Sequence, residues 1–178
     1  MRSKKDQTLR RQELLDAVSD DLLKIVAQEA NELMRDPLGI QVAQEIVLSG
    51  RGDKSAALDA ISMLADGDAS QEDHIMRLPF TARVYKTLVQ GGHYSPQLKK
   101  VEVVEPPLNF DSKLLSHIKP HITKWATGEG SFVVVGLLES LRDTELDDLK
   151  KQLKKDQKLL KSKAGENKGT KIVLEKIS

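Results

Sequence analysis

The sequence predicts an all-α fold, and three observations support this prediction. Aromatic residues make up only 3% of the 178 residues, so the core must consist of aliphatic side chains, which suits helix-on-helix packing better than a sandwich or barrel. The stretch DPLGIQVAQEIVLSG, from Asp36 to Gly50, begins with a turn and continues with apolar residues at helical spacing. Segments of the same kind recur downstream.

These recurring segments predict stacked helical repeats. They are LPFTARVYKTLVQGG, GEGSFVVVGLLESL and NKGTKIVLEKIS. If Gly39, Thr81, Gly130 and Gly169 are equivalent positions, the intervals between them are 42, 49 and 39 residues. A small residue before a short apolar helix, repeated at such intervals, indicates helical units that bury their apolar faces only by stacking.

The predicted elements in the first half follow from apolar spacing and from residues that begin or end helices. Thr8 to Val18 forms one helix, Ser19 to Asp21 caps a second over 22–34, and Pro37 ends it. The helix of the opening stretch follows. Asp53 caps a helix that runs to Leu64, and Pro79 begins another that stops at Gly91-Gly92.

The second half opens with an expected insertion, residues 94–110, predicted as an extended loop because three prolines surround a short β-branched run. Asp111 caps a helix that Pro120 interrupts, and Ser131 to Leu141 is predicted to be the most buried helix. One long amphipathic helix follows from Asp143 to a break at Ala164-Gly165. The chain is thus predicted to be a single domain, 1–178, with repeat helices near 20–49, 53–90, 111–141 and 143–177.

Charge is unevenly distributed, although the net charge is only +1. The first eleven residues carry five cations against Asp6, and the last 29 carry ten lysines against three acids, while the middle is acidic. Such ends permit an electrostatic footprint, but lysines also solvate outer helix faces. The absence of cysteine fits a reducing compartment, and no stretch predicts a membrane span or secretion signal.

Candidate chemistry is weak throughout the sequence. His117 and His121 have a spacing that suits metal ligands, but Pro120 lies between them and no third ligand is evident. Trp125 could stack on a base, although a core role fits its apolar neighbours better. No local motif arranges a nucleophile or paired catalytic carboxylates. We therefore predict that the chain is not an enzyme and carries no cofactor or metal.

Several ordered blocks resemble one known family. They are KKDQTLRRQELLDAVSDDLL, the pair DPLGIQVAQEIVLSG and DKSAALDAI, KWATGEGSFVVVGLLESL, and NKGTKIVLEKIS. The resemblance is to the C-terminal (CPL) region of the Puf-A-type Pumilio-repeat (PUF) proteins of the nucleolus. It covers nearly the whole chain and implies that further repeats precede Met1.

This resemblance implies a right-handed superhelical solenoid of degenerate Pumilio-like repeats that binds RNA or DNA. The implied setting is the nucleus and nucleolus, with pre-ribosomal RNA and pre-60S proteins as partners in large-subunit assembly and pre-rRNA processing, and with mRNA repression as a further role. In sequence-reading PUF repeats, three side chains near the start of the second helix contact one base. The corresponding triplets here are Ile40, Gln41 and Gln44; Ala82, Arg83 and Lys86; Ser131, Phe132 and Val135; and Thr170, Lys171 and Leu174. Only Gln44 keeps the usual third-position glutamine, so the resemblance implies that the base-reading code is broken.

Three hypotheses remain open at this point. In the first, the chain binds nucleic-acid backbone independently of sequence, through Lys4, Lys5, Arg10, Arg11, Gln41, Gln44, Arg83, Lys86, Lys168 and Lys171. In the second it is a protein-interaction scaffold, with apolar positions such as Ile40 receiving a partner helix. In the third it is a helical repeat unrelated to RNA, which predicts scattered cations, whereas the first hypothesis predicts that they converge on one face.

Overall fold

A computed structural model describes residues 4–178, with side chains from Asp6 onward. The chain is mostly helical, as predicted, and the described part contains one short two-stranded sheet. By internal contacts it divides into two compact units, residues 1–61 and 62–178, and each is treated below as a body of its own. The predicted single domain stays a prediction.

The first unit contains α1 (Lys4–Arg35), α2 (Gly39–Ser49) and most of α3 (Ser55–Met63). Helix α1 packs against α2, and both contribute to the core. The predicted helix break at Ser19 is wrong. Ser19 is buried inside α1, where its hydroxyl donates to the Leu15 carbonyl and accepts the Arg51 amide at 3.0 Å. A serine satisfied by the preceding turn does not need to cap a new helix.

The turn before α2 is built by Asp36. Its carboxylate accepts the amides of Leu38, at 3.0 Å, and Gly39, at 2.6 Å, while its carbonyl accepts the Ile40 amide at 2.9 Å. These bonds satisfy amides that the first turn of a helix leaves without partners. The turn predicted from Asp36-Pro37-Leu38-Gly39 is therefore confirmed.

The second unit holds the remaining elements. A 3₁₀ turn at Ile75–Arg77 is followed by α4 (Thr81–Gln90), β1 (Gly92–Ser95) and β2 (Lys100–Val103). Next come α5 (Phe110–Ile118), a 3₁₀ turn at Lys119–His121 and α6 (Ile122–Thr127). The chain ends with α7 (Ser131–Ser140), α8 (Asp143–Lys155), α9 (Gln157–Lys163) and α10 (Lys168–Ile177).

The segment predicted as an extended loop, 94–110, instead contains the end of one strand of a β-hairpin, its turn and the whole second strand. Antiparallel β1 and β2 pair Gly92 with Val103 and Ser95 with Lys100. Gly91 ends α4 at φ 77°, a left-handed conformation that glycine adopts without a steric penalty, and sends the chain directly into β1. The β-branched run was the signal for a strand, but the prolines around it obscured the signal.

Helix α7 forms the centre of this unit, and the prediction that it is the most buried helix agrees with the structure. Seven of its residues are buried, and α4, α6, α8 and α10 all contact it. Trp125 is also fully buried, so its predicted core role is confirmed. Among the described residues, none of the helices is long and apolar enough to cross a bilayer.

The long helix predicted from Asp143 is divided in two. Asp156, between α8 and α9, has a non-helical conformation (φ −104°, ψ 24°), and its carboxylate accepts the Thr123 hydroxyl at 2.6 Å. Leu149, Leu153 and Leu160 are buried on either side of this break. The apolar spacing therefore predicted the buried positions correctly. The helix is interrupted at Asp156, which contacts α6, and the local sequence does not reveal that contact.

Candidate nucleic-acid interface

Three helices of the second unit lie side by side and run in the same direction. Lys86, in the middle of α4, extends its Nζ to 5.5 Å from the centroid of the Phe132 ring near the start of α7, and Gly169 at the start of α10 adjoins Ser131 at the start of α7. At their ends, Glu139 of α7 accepts the Gln90 amide of α4 at 3.0 Å and pairs with Lys176 of α10 at 3.4 Å. The contacts follow the same order along all three helices, so α4, α7 and α10 are parallel.

The small residues that mark the repeats allow these helices to come close together. A Cβ at Gly169 would lie 2.7 Å from Ser131 Cβ and closer still to its hydroxyl, and a Cβ at Gly130 would lie 2.6 Å from Trp125 Cε3. Thr81, at the equivalent position of α4, is fully buried. The recurring small residue is thus a packing requirement at each helix start, which explains its period.

Asn167 holds the start of α10 in place. Its side-chain oxygen accepts the Ser131 hydroxyl at 2.9 Å and the Thr170 amide at 3.2 Å, and its amide nitrogen donates to the Gly128 carbonyl at 3.0 Å. The buried Thr170 hydroxyl donates to the Ala126 carbonyl at 2.7 Å. The first turn of α10, which carries Lys168 and Lys171, is therefore fixed relative to α6 and α7.

An exposed aromatic ring and four cations belong to the first turns of these helices and the residues next to them. We call this the α4–α7–α10 face and define it by Arg83, Lys86, Phe132, Lys168 and Lys171. Arg83, Lys168 and Lys171 are exposed, Phe132 is 38% exposed, and the half-buried Lys86 extends over its ring. A cation at this distance is attracted to the ring by roughly 0.5–1 kcal/mol at an exposed site.

The electrostatics favour an anion at this end of the face. Three parallel helix starts each contribute partial positive charge, and the four side-chain cations add to it. Glu139 lies at the opposite end, where Lys176 neutralises it. Glu129, before α7, is paired with Arg77 at 3.2 Å.

The triplets taken from sequence-reading repeats show one regular pattern. The middle positions, Gln41, Arg83, Phe132 and Lys171, are all exposed. The first positions Ile40, Ser131 and Thr170 are buried, and so is the third position Val135. Ile40 is therefore a core residue, and its predicted role as a surface for a partner helix is wrong. Sequence reasoning left Phe132 out of the binding set, although the helical register of its triplet placed it next to Lys86.

The remaining predicted contacts belong to the first unit. Arg10 and Arg11 are exposed on α1, Gln41 is exposed on α2, and Gln44 is half-buried there. The side chains of Lys4 and Lys5 lie outside the described residues. The structure thus brings together four of the predicted cations, Arg83, Lys86, Lys168 and Lys171, within one unit.

One of the two candidate metal ligands, His117, has another partner. His117 Nδ1 lies 2.6 Å from Asp66 Oδ1, and no cluster of three or more potential ligands is present in the described part of the chain. Nearby, the Lys124 ammonium, together with Ser70, holds the pKa of the Asp68 carboxyl well below its usual range. These two contacts fix the acidic loop 66–73 against α5 and α6.

These features define a helical-repeat protein in which α4, α7 and α10 form one exposed cationic face. The CPL (NUC119) domain family matches residues 1–100 of the chain. Pumilio homology domain family member 6 of Schizosaccharomyces pombe is 36% identical over 173 residues, which cover 97% of this chain and 27% of that protein. Human Pumilio homolog 3 is 30% identical over 183 residues, which cover 99% of this chain and 27% of that protein.

Comparison with solved structures points to the same group of proteins. The crystal structure of human Puf-A matches with a TM-score of 0.78 and 27% identity, over 99% of this chain and 34% of that one. The structure of human Puf-A in complex with DNA matches with a TM-score of 0.76 and 27% identity, over 98% of this chain and 32% of that one. The chain therefore belongs to the CPL (NUC119) domain family, and its resemblance to Puf-A-type Pumilio-repeat proteins is confirmed. It spans about a quarter of the length of the curated relatives it matches.

Proposed function

We propose that this chain binds the backbone of nucleic acids without reading their sequence, and that the α4–α7–α10 face is its binding surface. The observation that carries the proposal is the exposed Phe132 ring with Lys86 over it, together with three further exposed cations on the adjoining starts of α4 and α10. A cation that neutralises a phosphate releases counterions whatever the base, and an aromatic ring stacks with any base. The complex of human Puf-A with DNA supports nucleic acid as the ligand class.

Sequence-independent binding follows from the burial of the base-reading positions. Ser131 donates its hydroxyl to Asn167, and Thr170 donates to Ala126, so neither offers a hydrogen bond to a base edge. Val135 is apolar and 2% exposed. The five side chains that define the α4–α7–α10 face are four positive charges and one ring, which suit contacts with phosphates and base faces.

The cellular role that accompanies this proposal is assembly of the large ribosomal subunit in the nucleolus. Pre-ribosomal RNA and proteins of the pre-60S particle would be the partners, with mRNA as a second RNA ligand. The resemblance to Puf-A-type proteins supports this role. A cationic face that ignores sequence also suits a folded RNA whose recognition depends on shape. That the chain is not an enzyme stays a prediction.

The proposal is tested by fluorescence anisotropy with a mixed-sequence single strand and a hairpin, at several salt concentrations. We expect Arg83→Glu with Lys86→Glu to lower affinity for the single strand and to reduce its salt slope by about 1.4, since each phosphate contact contributes about 0.7. The matched control is Lys100→Glu with Lys119→Glu, which makes the same change of charge at exposed positions outside the face. Equal loss in both variants would remove this face from the site, and unchanged binding at low salt would do so as well.

A protein-interaction scaffold is the second candidate, and one feature of α1 favours it. Leu14, Val18, Leu22 and Ile25 lie at helical spacing on one side of α1 and are all exposed, by 64%, 37%, 37% and 48% respectively. The core stripe of α1, which includes Leu23, Val26 and Ala30, lies on a different side. If the unmodified chain binds no nucleic acid at low salt, this second candidate is favoured.

A further inference from the structure

We infer that the outer surface of α8 and α9 is a second binding site for nucleic acid, and that its ligand is the phosphate backbone of a duplex. We call it the α8–α9 lysine surface and define it by the exposed residues Lys151, Lys154, Lys155, Lys158, Lys161 and Lys163. It lies on helices other than those of the α4–α7–α10 face and does not depend on the function proposed for that face.

The charge of this surface is unbalanced. Residues 150–163 contain seven lysines and one acid, Asp156. No described residue forms an ion pair or a side-chain hydrogen bond with any of the six surface lysines, whereas Lys124 and Lys176 elsewhere in the unit are paired. Among the described residues, neither Asp147 nor Asp148, which precede the segment on α8, forms an ion pair with these ammonium groups. Mutual repulsion of six free ammonium groups is relieved when a polyanion binds.

The fold directs the lysines outward. Leu149, Leu153 and Leu160 are buried against the unit, so the remaining sides of both helices are left to the lysines. Gln152 donates to the Lys119 carbonyl at 2.9 Å, and Asp156 accepts the Thr123 hydroxyl at 2.6 Å. The one carboxylate in the segment is thus engaged with α6 instead of with a neighbouring lysine.

The composition of the surface selects the ligand class. It has no arginine and no aromatic side chain, which are the residues that anchor most protein partners and that stack with unpaired bases. Lysine is a hydrated point charge on a flexible stem, so the free energy that it contributes to binding comes mainly from counterion release. A duplex carries one charge per roughly 1.7 Å, twice the density of a single strand. Helices spanning 151–163 extend at most about 18 Å, a length over which a duplex presents about ten phosphates.

The test measures the affinity of the full 178-residue chain for a short mixed-sequence duplex DNA at several salt concentrations. We expect Lys151→Glu with Lys155→Glu and Lys158→Glu to reduce the salt slope by about 2.7, since each lost contact contributes about 0.9. The matched control is Lys24→Glu with Lys99→Glu and Lys100→Glu, three exposed lysines elsewhere with the same change of charge. A slope that changes equally in both variants would overturn the inference.

Glutamate is unfavourable near the C-terminal end of α8, where the helix dipole is negative, so a second set of variants is needed to separate lost binding from lost stability. The corresponding Lys→Gln triple keeps helix-forming side chains and should reduce the slope by a similar amount, with unchanged circular dichroism. An undiminished slope in that triple contradicts the inference.

Two further measurements separate this inference from its alternatives. The α8–α9 lysine triple should reduce the salt slope for duplex DNA by the same amount in the unmodified chain and in the Arg83→Glu, Lys86→Glu background. The two surfaces are therefore tested independently of each other. Poly-L-glutamate, at the same concentration of charges, should displace the duplex poorly because it carries fewer condensed counterions. If it displaces the duplex as well as a second duplex does, the surface is a site for acidic polypeptides and the inference is wrong.

Discussion

Replacing Gly169 by alanine should destabilise the second unit and weaken its binding face together. The new methyl group would lie 2.7 Å from Ser131 Cβ, well inside van der Waals contact, and 3.2 Å from Phe132 Cδ2. Helix α10 would have to move away from α7, which would disturb the bonds from Asn167 to Ser131 and Gly128. Ser131 is short and buried, so its Cβ cannot rotate away from the new methyl group.

The magnitude follows from two opposed effects. Overpacking of a close contact costs about 1–3 kcal/mol. Replacing glycine by alanine in a helix gains at most about 1 kcal/mol, and less here because Gly169 is only the second residue of α10. We therefore expect a net loss of about 1–2 kcal/mol in the free energy of unfolding, or a midpoint lower by about 2–8 °C.

Thermal and urea unfolding followed by circular dichroism would measure this loss. Gly165→Ala is the matched control, because a Cβ at Gly165 meets no atom within 4 Å. Ser131→Gly combined with Gly169→Ala should recover part of the loss, since the clash is with the Ser131 side chain, and the double-mutant cycle should show a coupling above 0.5 kcal/mol, as contacting residues do. If Gly169→Ala is as stable as Gly165→Ala, the argument that the repeat glycines are packing requirements is refuted.

Three further perturbations test other parts of the structure. Phe132→Ala should lower single-strand affinity by about 1–3 kcal/mol while Phe132→Tyr retains it, because base stacking needs a ring; equal affinity of the two variants in anisotropy titrations would contradict a stacking role. Asp68→Asn should destabilise the protein at neutral pH, and since the folded-state pKa of Asp68 is depressed, the difference from the unmodified protein should shrink as pH falls below the ordinary value of 3.8; a difference that stays constant in urea titrations down to pH 3 would contradict this. Ile40→Asp should abolish the helical signal of residues 4–61, or lower the free energy of unfolding by about 4 kcal/mol, because it buries a charge in the core. If that variant folds with normal stability in circular dichroism, Ile40 is not a core residue.

The sequence was sufficient for the helices and their repeat, because both depend on local apolar spacing. Residues 131–141, wholly apolar but for a few small or terminal residues, were correctly predicted as the most buried helix. Contacts between distant residues were not predictable in the same way. Ser19 looked like a cap, and its bonds to Leu15 and Arg51 are what show that it lies inside a helix; the interruption of α1 comes later, at Glu29, where the backbone is non-helical (φ −108°, ψ 19°).

The candidate site was predictable only in part, for a similar reason. Arg83, Lys86, Lys168 and Lys171 could be named from helix register and charge, but the sequence does not show that α4, α7 and α10 start at the same end. That knowledge comes from contacts such as Gly169 with Ser131. Phe132 was passed over because an isolated phenylalanine in an apolar helix is usually a core residue, and its exposure depends on where α4 and α10 lie.

The burial of α7 on nearly every side has a consequence for motion. Its buried amide protons should be among the most slowly exchanging in the protein, because seven of its residues are buried and α4, α6, α8 and α10 all contact it. Phe132 projects from this slowly exchanging helix, whereas the lysines around it end in flexible stems. A nucleic-acid strand bound here would keep its phosphate contacts while moving, because the lysine side chains are flexible. The Phe132 ring, held by a rigid helix, would offer the same stacking surface to every base.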